Sequence, residues 1–512
     1  MDPRSQAASD DRRRWLALIV VCLAMLMNAL DATVVNVALP KIQHDLHFTQ
    51  AGLAWVIDAY LVAFAGFLLM SGRLGDLIGR KKVFLGGLAV FTLASAVCGL
   101  ADSQGLLIAA RFVQGMSGAF STSVILAIIA TEFTDPRERA RAMSVYIFVA
   151  VGGGSIGLLA GGVLTQALNW HWIFFINLPI GAIALILGVL LVEENEGLGV
   201  REGVDVLGSL LITAGLMLGV YAVVKSSDYG WGSSRTLVVA AVALALIAAF
   251  FAVEARISKP IMPLRILRVR GLISSSLVRG FLFTGMYGCL FLGTLYLEHV
   301  LGYSALHTGV AFLPMTLVVA FFSSGITARL VGRFGPWRTL MPAMAMVMAG
   351  LLLLASAGVH AGYFPTLFLA FLLLGAGMGT ASVPLLTIAM SDVPPADAGL
   401  ASGIVNVSMQ VAGAIGVAVL GTISTDHTKA LTASGSSLAG ALTAGYHLAF
   451  VVAAGCVAAG MLVAVLLLRP RRPQYVGANA AGRLERGAET AAGANAAGRL
   501  ERGAETAAGA QL

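Results

Sequence analysis

Three charged residues lie inside long apolar stretches of this sequence, where an ionised side chain needs a partner or water. Asp31 lies seven residues before the end of one stretch, Asp58 seven residues after the start of the next, and Arg111 six residues after the start of another. At about 1.5 Å per helical residue, all three would lie roughly 10 Å beneath one surface of a helical bundle. We therefore predict a cluster of two acids and one arginine that binds and releases a proton as water access changes.

Each of these residues also has a structural interpretation. Asp31 and Arg111 could form a salt bridge that only packs helices together, and Asp58 could be a bystander paired with the same arginine. Asn28 lies on the same helix face as Asp31, three residues earlier. The sequence alone leaves these alternatives open.

The elements that must position these residues are transmembrane helices. Of the 512 residues, 58% are apolar and only 12% are charged, and the mean hydropathy is +0.88. A bilayer core about 30 Å thick takes about 20 apolar residues per helix, so fourteen spans need roughly 280 residues. The sequence predicts an all-α integral membrane protein with fourteen spans and no large soluble domain.

Composition and motifs also exclude several classes of function. The sequence contains no GK[ST] phosphate loop, no HExxH motif and no clustered His and Cys residues. The four cysteines all lie in apolar runs, without the spacing of a metal site or a disulfide framework. We therefore expect no enzyme activity, no cofactor, no metal and no nucleic-acid partner.

An internal repeat predicts two related halves. The segment GRLGDLIGRKKV (72–83) is repeated imperfectly as ARLVGRFGPWRT (328–339). The spacing of the two segments makes spans 9–14 correspond to spans 1–6. Spans 7 and 8 are then an insert between two six-helix bundles that enclose a central cavity. The predicted divisions are an N-terminal segment, a first bundle, two inserted helices with a linker, a second bundle and a low-complexity tail with a tandem repeat: 1–14, 15–192, 193–271, 272–468 and 469–512.

The distribution of basic residues predicts the orientation. Twenty-seven Lys and Arg residues fall in loops and termini on one side of the predicted spans, against four on the other. Basic loops stay in the cytoplasm, so both termini are expected there.

Five motifs carry a resemblance to a known family. They are the GRLGDLIGRKKV loop, LDATVVNVALP (30–40), RFVQGMSGAFSTSV (111–124), GGSIGLLAGG (153–162) and WHWIFFINLPIG (170–181). Together with fourteen spans, they resemble the EmrB/QacA-type drug:proton antiporters of the major facilitator superfamily. The resemblance implies proton-driven export of hydrophobic, cationic drugs or antibiotics across the bacterial cytoplasmic membrane by alternating access, with protons, the lipid bilayer and a small molecule as partners.

Residue roles follow from the resemblance. Asp31 and Arg111 match the family's residues for proton coupling. GRLGDLIGRKKV (72–83) matches the family's signature loop, and GGSIGLLAGG (153–162) matches its antiporter motif, in which Leu158 replaces the usual proline. The resemblance implies that residues of these two segments form a conformational latch: Gly72, Asp76, Arg80, Gly153, Gly157, Gly161 and Gly162.

Candidate substrate-binding residues are acids, amides and aromatic residues within or at the ends of the predicted spans: Asp58, Glu298, Asn406, Gln410, Tyr60 and Tyr287. Aromatic rings stack on planar cations, although packing is the more common role of such side chains. Arg279 is expected to extend to lipid headgroups from its place near the cytoplasmic end of span 9.

Two other functions fit the same sequence. One is the export of a single endogenous metabolite, lipid or self-made antibiotic. The other is a transporter-like membrane sensor or scaffold that moves no substrate.

Overall fold

The computed structural model describes residues 3–194, 197, 205–257, 260, 262–394 and 397–468. All regular secondary structure in these ranges is helical. Thirteen of the described helices are long and apolar enough to cross a membrane, and a shorter apolar helix over Ala305–Phe321 supplies the fourteenth predicted span.

The helices of the first half begin at Pro3, inside the segment predicted to precede the first span. They are α1 Pro3–Asp45, α2 Trp55–Ile78, α3 Arg80–Gly99, α4 Gln104–Ser123, α5 Ile125–Glu132, α6 Pro136–Ala167, the short α7 Trp172–Phe175, and α8 Asn177–Leu191. The fourth predicted span is therefore broken at Val124 into α4 and α5, whereas α6 runs unbroken through the antiporter motif.

Two inserted helices follow, and then the second half. They are α9 Val206–Tyr229, α10 Ser234–Glu254, α11 Arg270–Leu295, α12 Ala305–Phe321, α13 Thr327–Phe334, α14 Pro336–Leu354, α15 Phe368–Met390, α16 Ala398–Ala433 and α17 Leu438–Leu467. π-helical turns extend α11 over Tyr296–Val300 and join α12 to α13 over Phe322–Ile326. The prediction of two six-helix bundles with two inserted helices is confirmed as the fold class.

The two halves meet along two helix pairs, α2 with α16 and α6 with α12. At the α6–α12 pair, a Cβ at Gly162 would lie 2.8 Å from the Ala305 carbonyl oxygen, and one at Gly309 would lie 2.6 Å from that of Leu158. The Leu306 N–H also donates to Gln166 Oε1 at 3.3 Å. These close approaches seal the halves together at the end of the bundle opposite the N-terminus.

The inserted helices form an antiparallel hairpin, and α9 of this pair contacts both α2 and α16. A Cβ at Gly66 of α2 would lie 2.9 Å from Thr213 Cβ, so α9 approaches α2 closely there. The contacts with α16 are polar as well: Lys429 lies 3.7 Å from the Asp228 carboxylate, and Trp231 donates to Asp426 at 3.1 Å. The hairpin therefore spans the seam between the halves.

The linker after the hairpin is also tied to the second half. Arg265 donates two hydrogen bonds of 2.8 Å to the Asp397 carboxylate, which lies directly before α16. A bidentate guanidinium–carboxylate pair fixes orientation as well as distance. The linker is thus held at the start of α16.

Candidate functional site

A buried ion pair between α1 and α4 forms the centre of the first half. Arg111 Nη1 lies 2.5 Å from Asp31 Oδ2, and the two side chains are 2% and 0% exposed. Arg111 Nε also donates to the Val56 carbonyl oxygen of α2 at 2.9 Å. The predicted pairing of Asp31 with Arg111 is present, and the pair ties three helices together.

A shell of neutral polar side chains completes this pair. Gln114 Nε2 donates to Asp31 Oδ1 at 2.7 Å, and Asn177 Nδ2 donates to the same oxygen at 3.2 Å. Gln114 also accepts from Arg111 Nη1 at 2.7 Å and donates to Ser95 at 2.8 Å. Both carboxylate oxygens of Asp31 accept hydrogen bonds, which is the arrangement that stabilises a charged carboxylate in the membrane.

Three residues of this shell were not predicted as site residues: Gln114, Asn177 and Ser95. Gln114 follows Arg111 by three positions, which places both on one helix face, and Asn177 is a polar residue in the apolar WHWIFFINLPIG motif. Those two signals were present in the sequence. The convergence of α4 and α8 on the carboxylate of α1 was not.

Tyr60 of α2 lies over the same guanidinium. The Arg111 Cζ atom is 4.5 Å from the centre of the Tyr60 ring, a cation–π distance. The close approach depends on Gly115 of α4, where a Cβ would lie 2.8 Å from Tyr60 Cα. One face of Tyr60 is therefore occupied by the protein's own cation.

Asp58 stands apart from this pair. Its side chain is 0% exposed, and neither carboxylate oxygen has a hydrogen-bond partner in the described part of the chain. It lies three helical turns from Leu69 on one face of α2, and Leu69 packs 2.5 Å from a Cβ at Gly403 of α16. Among the described residues Asp58 is therefore not paired with Arg111, and the position of Leu69 indicates that this face of α2 lies toward the second half.

The second half presents its own polar wall. The Tyr287 hydroxyl of α11 donates to Gln410 Oε1 of α16 at 3.0 Å. Asn406 is exposed and donates to its own helix at Ser402. Gln410 and Asn406 therefore differ in burial, although both were predicted to line the same surface.

The remaining predicted acid, Glu298, lies in the π-helical turn that ends the α11 span. It is half-buried, and its Oε1 atom has no hydrogen-bond partner among the described residues. His299 beside it is exposed. This acid is at the far end of the span from the basic start of α11.

The antiporter-motif glycines allow α6 to pack closely against two helices, α1 and α12. A Cβ at Gly153 would lie 2.8 Å from Ala29, one at Gly157 would lie 3.0 Å from the Leu30 carbonyl oxygen, and Gly161 is equally close to Val34. These three glycines pack on α1, whereas Gly162 packs on α12 of the second half. The motif thus joins the seal between the halves to the helix that carries Asp31.

The signature loop is held within the first half in this conformation. Asp76 pairs with Arg80 at 3.4 Å, four residues along the chain, and Lys81 donates to the Val189 carbonyl oxygen of α8. Gly79 has a φ of 106°, which favours glycine at the turn between α2 and α3. Gly72 is packed loosely, since a Cβ there would come no closer than 4.0 Å to a neighbouring side chain.

A helical bundle of fourteen spans in two halves, with an ion pair buried in one half and polar walls facing each other across the seam, defines a multi-pass membrane transporter. The chain belongs to the Major Facilitator Superfamily, whose sequence profile matches residues 21–417. The family and its relatives are membrane transporters for small molecules and not enzymes.

Several relatives are named for antibiotic resistance or export. The puromycin resistance protein pur8 of Streptomyces alboniger is 40% identical over 461 residues, which is 89% of this chain and 91% of that protein. The cephamycin export protein CmcT of Amycolatopsis lactamdurans is 37% identical, over 81% of this chain and 85% of that protein.

A solved structure confirms the fold. The POT family transporter PepTSo superposes with a TM-score of 0.64 at 15% identity, covering 90% of this chain and 99% of that one.

Proposed function

We propose that the protein exports hydrophobic, cationic drugs or antibiotics from the bacterial cytoplasm, driven by protons that enter through Asp31. The observation that carries this proposal is the Asp31–Arg111 pair, a buried charge pair within a transporter fold. Its relatives named for drug resistance and export support the direction of transport.

In the proposed cycle, Asp31 exchanges a proton with the external solution. Protonation removes the charge that holds Arg111, so the guanidinium turns toward its other partners, Gln114 and the Val56 carbonyl oxygen. Because Arg111 also bonds to α2, this change reaches the helix that carries the seam. Release of the proton to the cytoplasm restores the pair.

Asp58 is proposed to bind the substrate cation. A buried carboxylate without a partner is costly, and a cationic ligand at the seam would supply that partner. The aromatic rings and amides of the facing wall would contact the rest of the molecule. The roles of Tyr60, Tyr287, Asn406, Gln410 and Glu298 in substrate binding remain proposals of the same kind.

The orientation is proposed from the basic residues on the N-terminal side, which favour the cytoplasm. With both termini in the cytoplasm, the α6–α12 seal faces outward and this conformation is closed to the exterior. Opening of that seal would have to separate Gly162 from Ala305. The signature loop and the antiporter-motif glycines are the proposed latch that controls this step.

A second candidate is the export of one self-made antibiotic. The relatives named for a single compound, puromycin or cephamycin, favour it. A panel of structurally unrelated substrates distinguishes the two, because a single-compound exporter transports only one chemical family.

The deciding experiment measures ethidium efflux from vesicles with and without an imposed pH gradient. Wild-type protein should move ethidium faster when the gradient is present. Asp31→Asn keeps the size of the side chain but cannot exchange a proton, so it should lose the acceleration while remaining in the membrane. Undiminished gradient-driven efflux by this variant would assign Asp31 to helix packing alone.

A further inference from the structure

Arg279 of α11 is a half-buried cation whose charge is not used by the proposed cycle. It lies nine residues after α11 begins at Arg270, about 13 Å along the helix. Its Nε and Nη1 atoms are buried and have no hydrogen-bond partner in the ranges that the structure describes. Two of the three guanidinium nitrogens are thus covered by protein, and the extension of Arg279 to lipid headgroups stays a prediction.

The packing of α11 shows which way this arginine points. One face is occupied by α16, since Thr284 donates to the Ala412 carbonyl oxygen at 3.1 Å. Another is occupied by α14 and α17, where a Cβ at Gly285 would lie 3.2 Å from Leu351. The remaining face is half-buried and carries Arg279, Phe283 and Met286.

Helix α11 packs on α15 of its own half and also contacts α1 of the first half. The guanidinium lies over Phe283, with Arg279 Cζ 5.3 Å from the ring centre. Arg279, Phe283 and Tyr287 follow each other at intervals of four residues and form one column along α11, which ends at the Tyr287–Gln410 hydrogen bond.

An unpaired guanidinium in the membrane is unfavourable until an anion reaches it. A carboxylate accepts two parallel hydrogen bonds from the planar group, the strongest pairing available to arginine. Among the described residues, no carboxylate oxygen lies within 4 Å of its nitrogen atoms. The group that completes this site must come from outside the described chain.

We propose that Arg279 binds an anionic oxygen of the substrate, a carboxylate or an ionised phenol, with Phe283 stacking on the attached ring. The proposal rests on the export function and extends its substrate class from cations to amphiphiles that also carry an acidic group. The first half offers an unpaired acid in Asp58, and the second half an unpaired base in Arg279. A zwitterion therefore has a partner of opposite charge in each half.

The test compares two dyes that differ in one group. Rhodamine 110 carries a free carboxylate, and rhodamine 123 is its methyl ester. Purified full-length protein is reconstituted in phosphatidylcholine vesicles, and Kd is measured by fluorescence anisotropy beside the rate of export. Arg279→Gln should raise Kd for rhodamine 110 about tenfold or more, the value of one charge-assisted bidentate contact, and change that for rhodamine 123 less than about twofold.

Two matched variants complete the design. Arg279→Lys keeps the charge but loses the planar fork, so its Kd for rhodamine 110 should fall between those of wild type and Arg279→Gln. Arg268→Gln removes a positive charge from an exposed position before α11 and should leave both dyes unchanged.

Three results would overturn the proposal. Equal weakening of both dyes by Arg279→Gln would assign the residue to the fold. Wild-type affinity for rhodamine 110 in Arg279→Gln would remove it from the binding site. If Arg279→Gln weakened rhodamine 110 binding only in vesicles that contain phosphatidylglycerol, the guanidinium would bind a lipid phosphate. Ethidium export by the wild type tests the export function separately, since ethidium has no acidic group.

Discussion

The Asp31–Arg111 pair allows structural and coupling roles to be separated by a double-mutant cycle. Removing one partner of a buried ion pair leaves the other charge uncompensated, at a cost of about 3–5 kcal/mol. Asp31→Asn would leave Arg111 with neutral acceptors only: the amide oxygen at position 31, Gln114 and the Val56 carbonyl oxygen. We expect Asp31→Asn and Arg111→Gln to lower the free energy of unfolding by amounts near the lower end of that range.

The double variant should recover part of this loss. Both substituted side chains are neutral amides, so no uncompensated charge remains at either position of the pair. The coupling energy should be at least about 1 kcal/mol, within the range for residues in direct contact. Unfolding free energies are measured in mixed micelles, and ethidium transport is measured on the same three proteins.

Transport should behave differently from stability. The double variant should stay inactive in gradient-driven efflux, because it has no proton-exchanging group at this site, while it still exchanges ethidium between the two sides without a gradient. Additive losses of stability would refute the interpretation of the contact as a mutually compensating pair. Recovery of gradient-driven efflux together with stability would refute the coupling role of Asp31.

Three further predictions concern other parts of the site. Asp58→Asn should weaken export of permanent cations and spare neutral hydrophobic substrates. At an effective dielectric near 20, two charges about 4 Å apart interact by roughly 4 kcal/mol, and neutral substrates lack this interaction. Equal loss of cationic and neutral export in vesicles would place Asp58 in the proton path or the fold. Asp76→Ala, which removes the ion pair with Arg80, should slow turnover more than it changes equilibrium binding of ethidium; an unchanged turnover rate would contradict the latch. Gly162→Val should hold the α6–α12 seal open, because a Cβ there lies 2.8 Å from the Ala305 carbonyl oxygen. Labelling of a single cysteine placed at Ala305 by an external, membrane-impermeant thiol reagent measures this opening, and wild-type labelling in the valine variant would contradict it.

Much of the fold could be predicted because its signals are local or repeated. Apolar length gave the spans, and the echo of the 72–83 segment at 328–339 located the second half. The break at Val124 was not predicted, since residues 105–132 are apolar on both sides of it and contain no proline. Hydropathy measures the content of a segment and does not resolve a local change in backbone direction.

The candidate site was predicted less completely, for a geometric reason. Depth along a helix follows from counting residues, and it correctly placed Asp31 beside Arg111. Depth does not determine the direction in which a side chain points around the helix axis, so Asp58 was grouped with Arg111 although the two are not paired among the described residues. The same limit applies to Arg279, whose position near the end of a span suggested lipid contact, whereas its Nε and Nη1 atoms are covered by protein.

The α9–α10 hairpin makes different kinds of contact with its two neighbouring helices, α2 and α16. It is bonded to α16 through Lys429 and Trp231, and its linker is bonded to the start of that helix through Arg265. Against α2 it presents the tightly packed contact at Gly66. Polar bonds resist sliding more than an apolar contact does. We therefore expect the hairpin to move with the second half, so that six helices move against eight along the surface of α2.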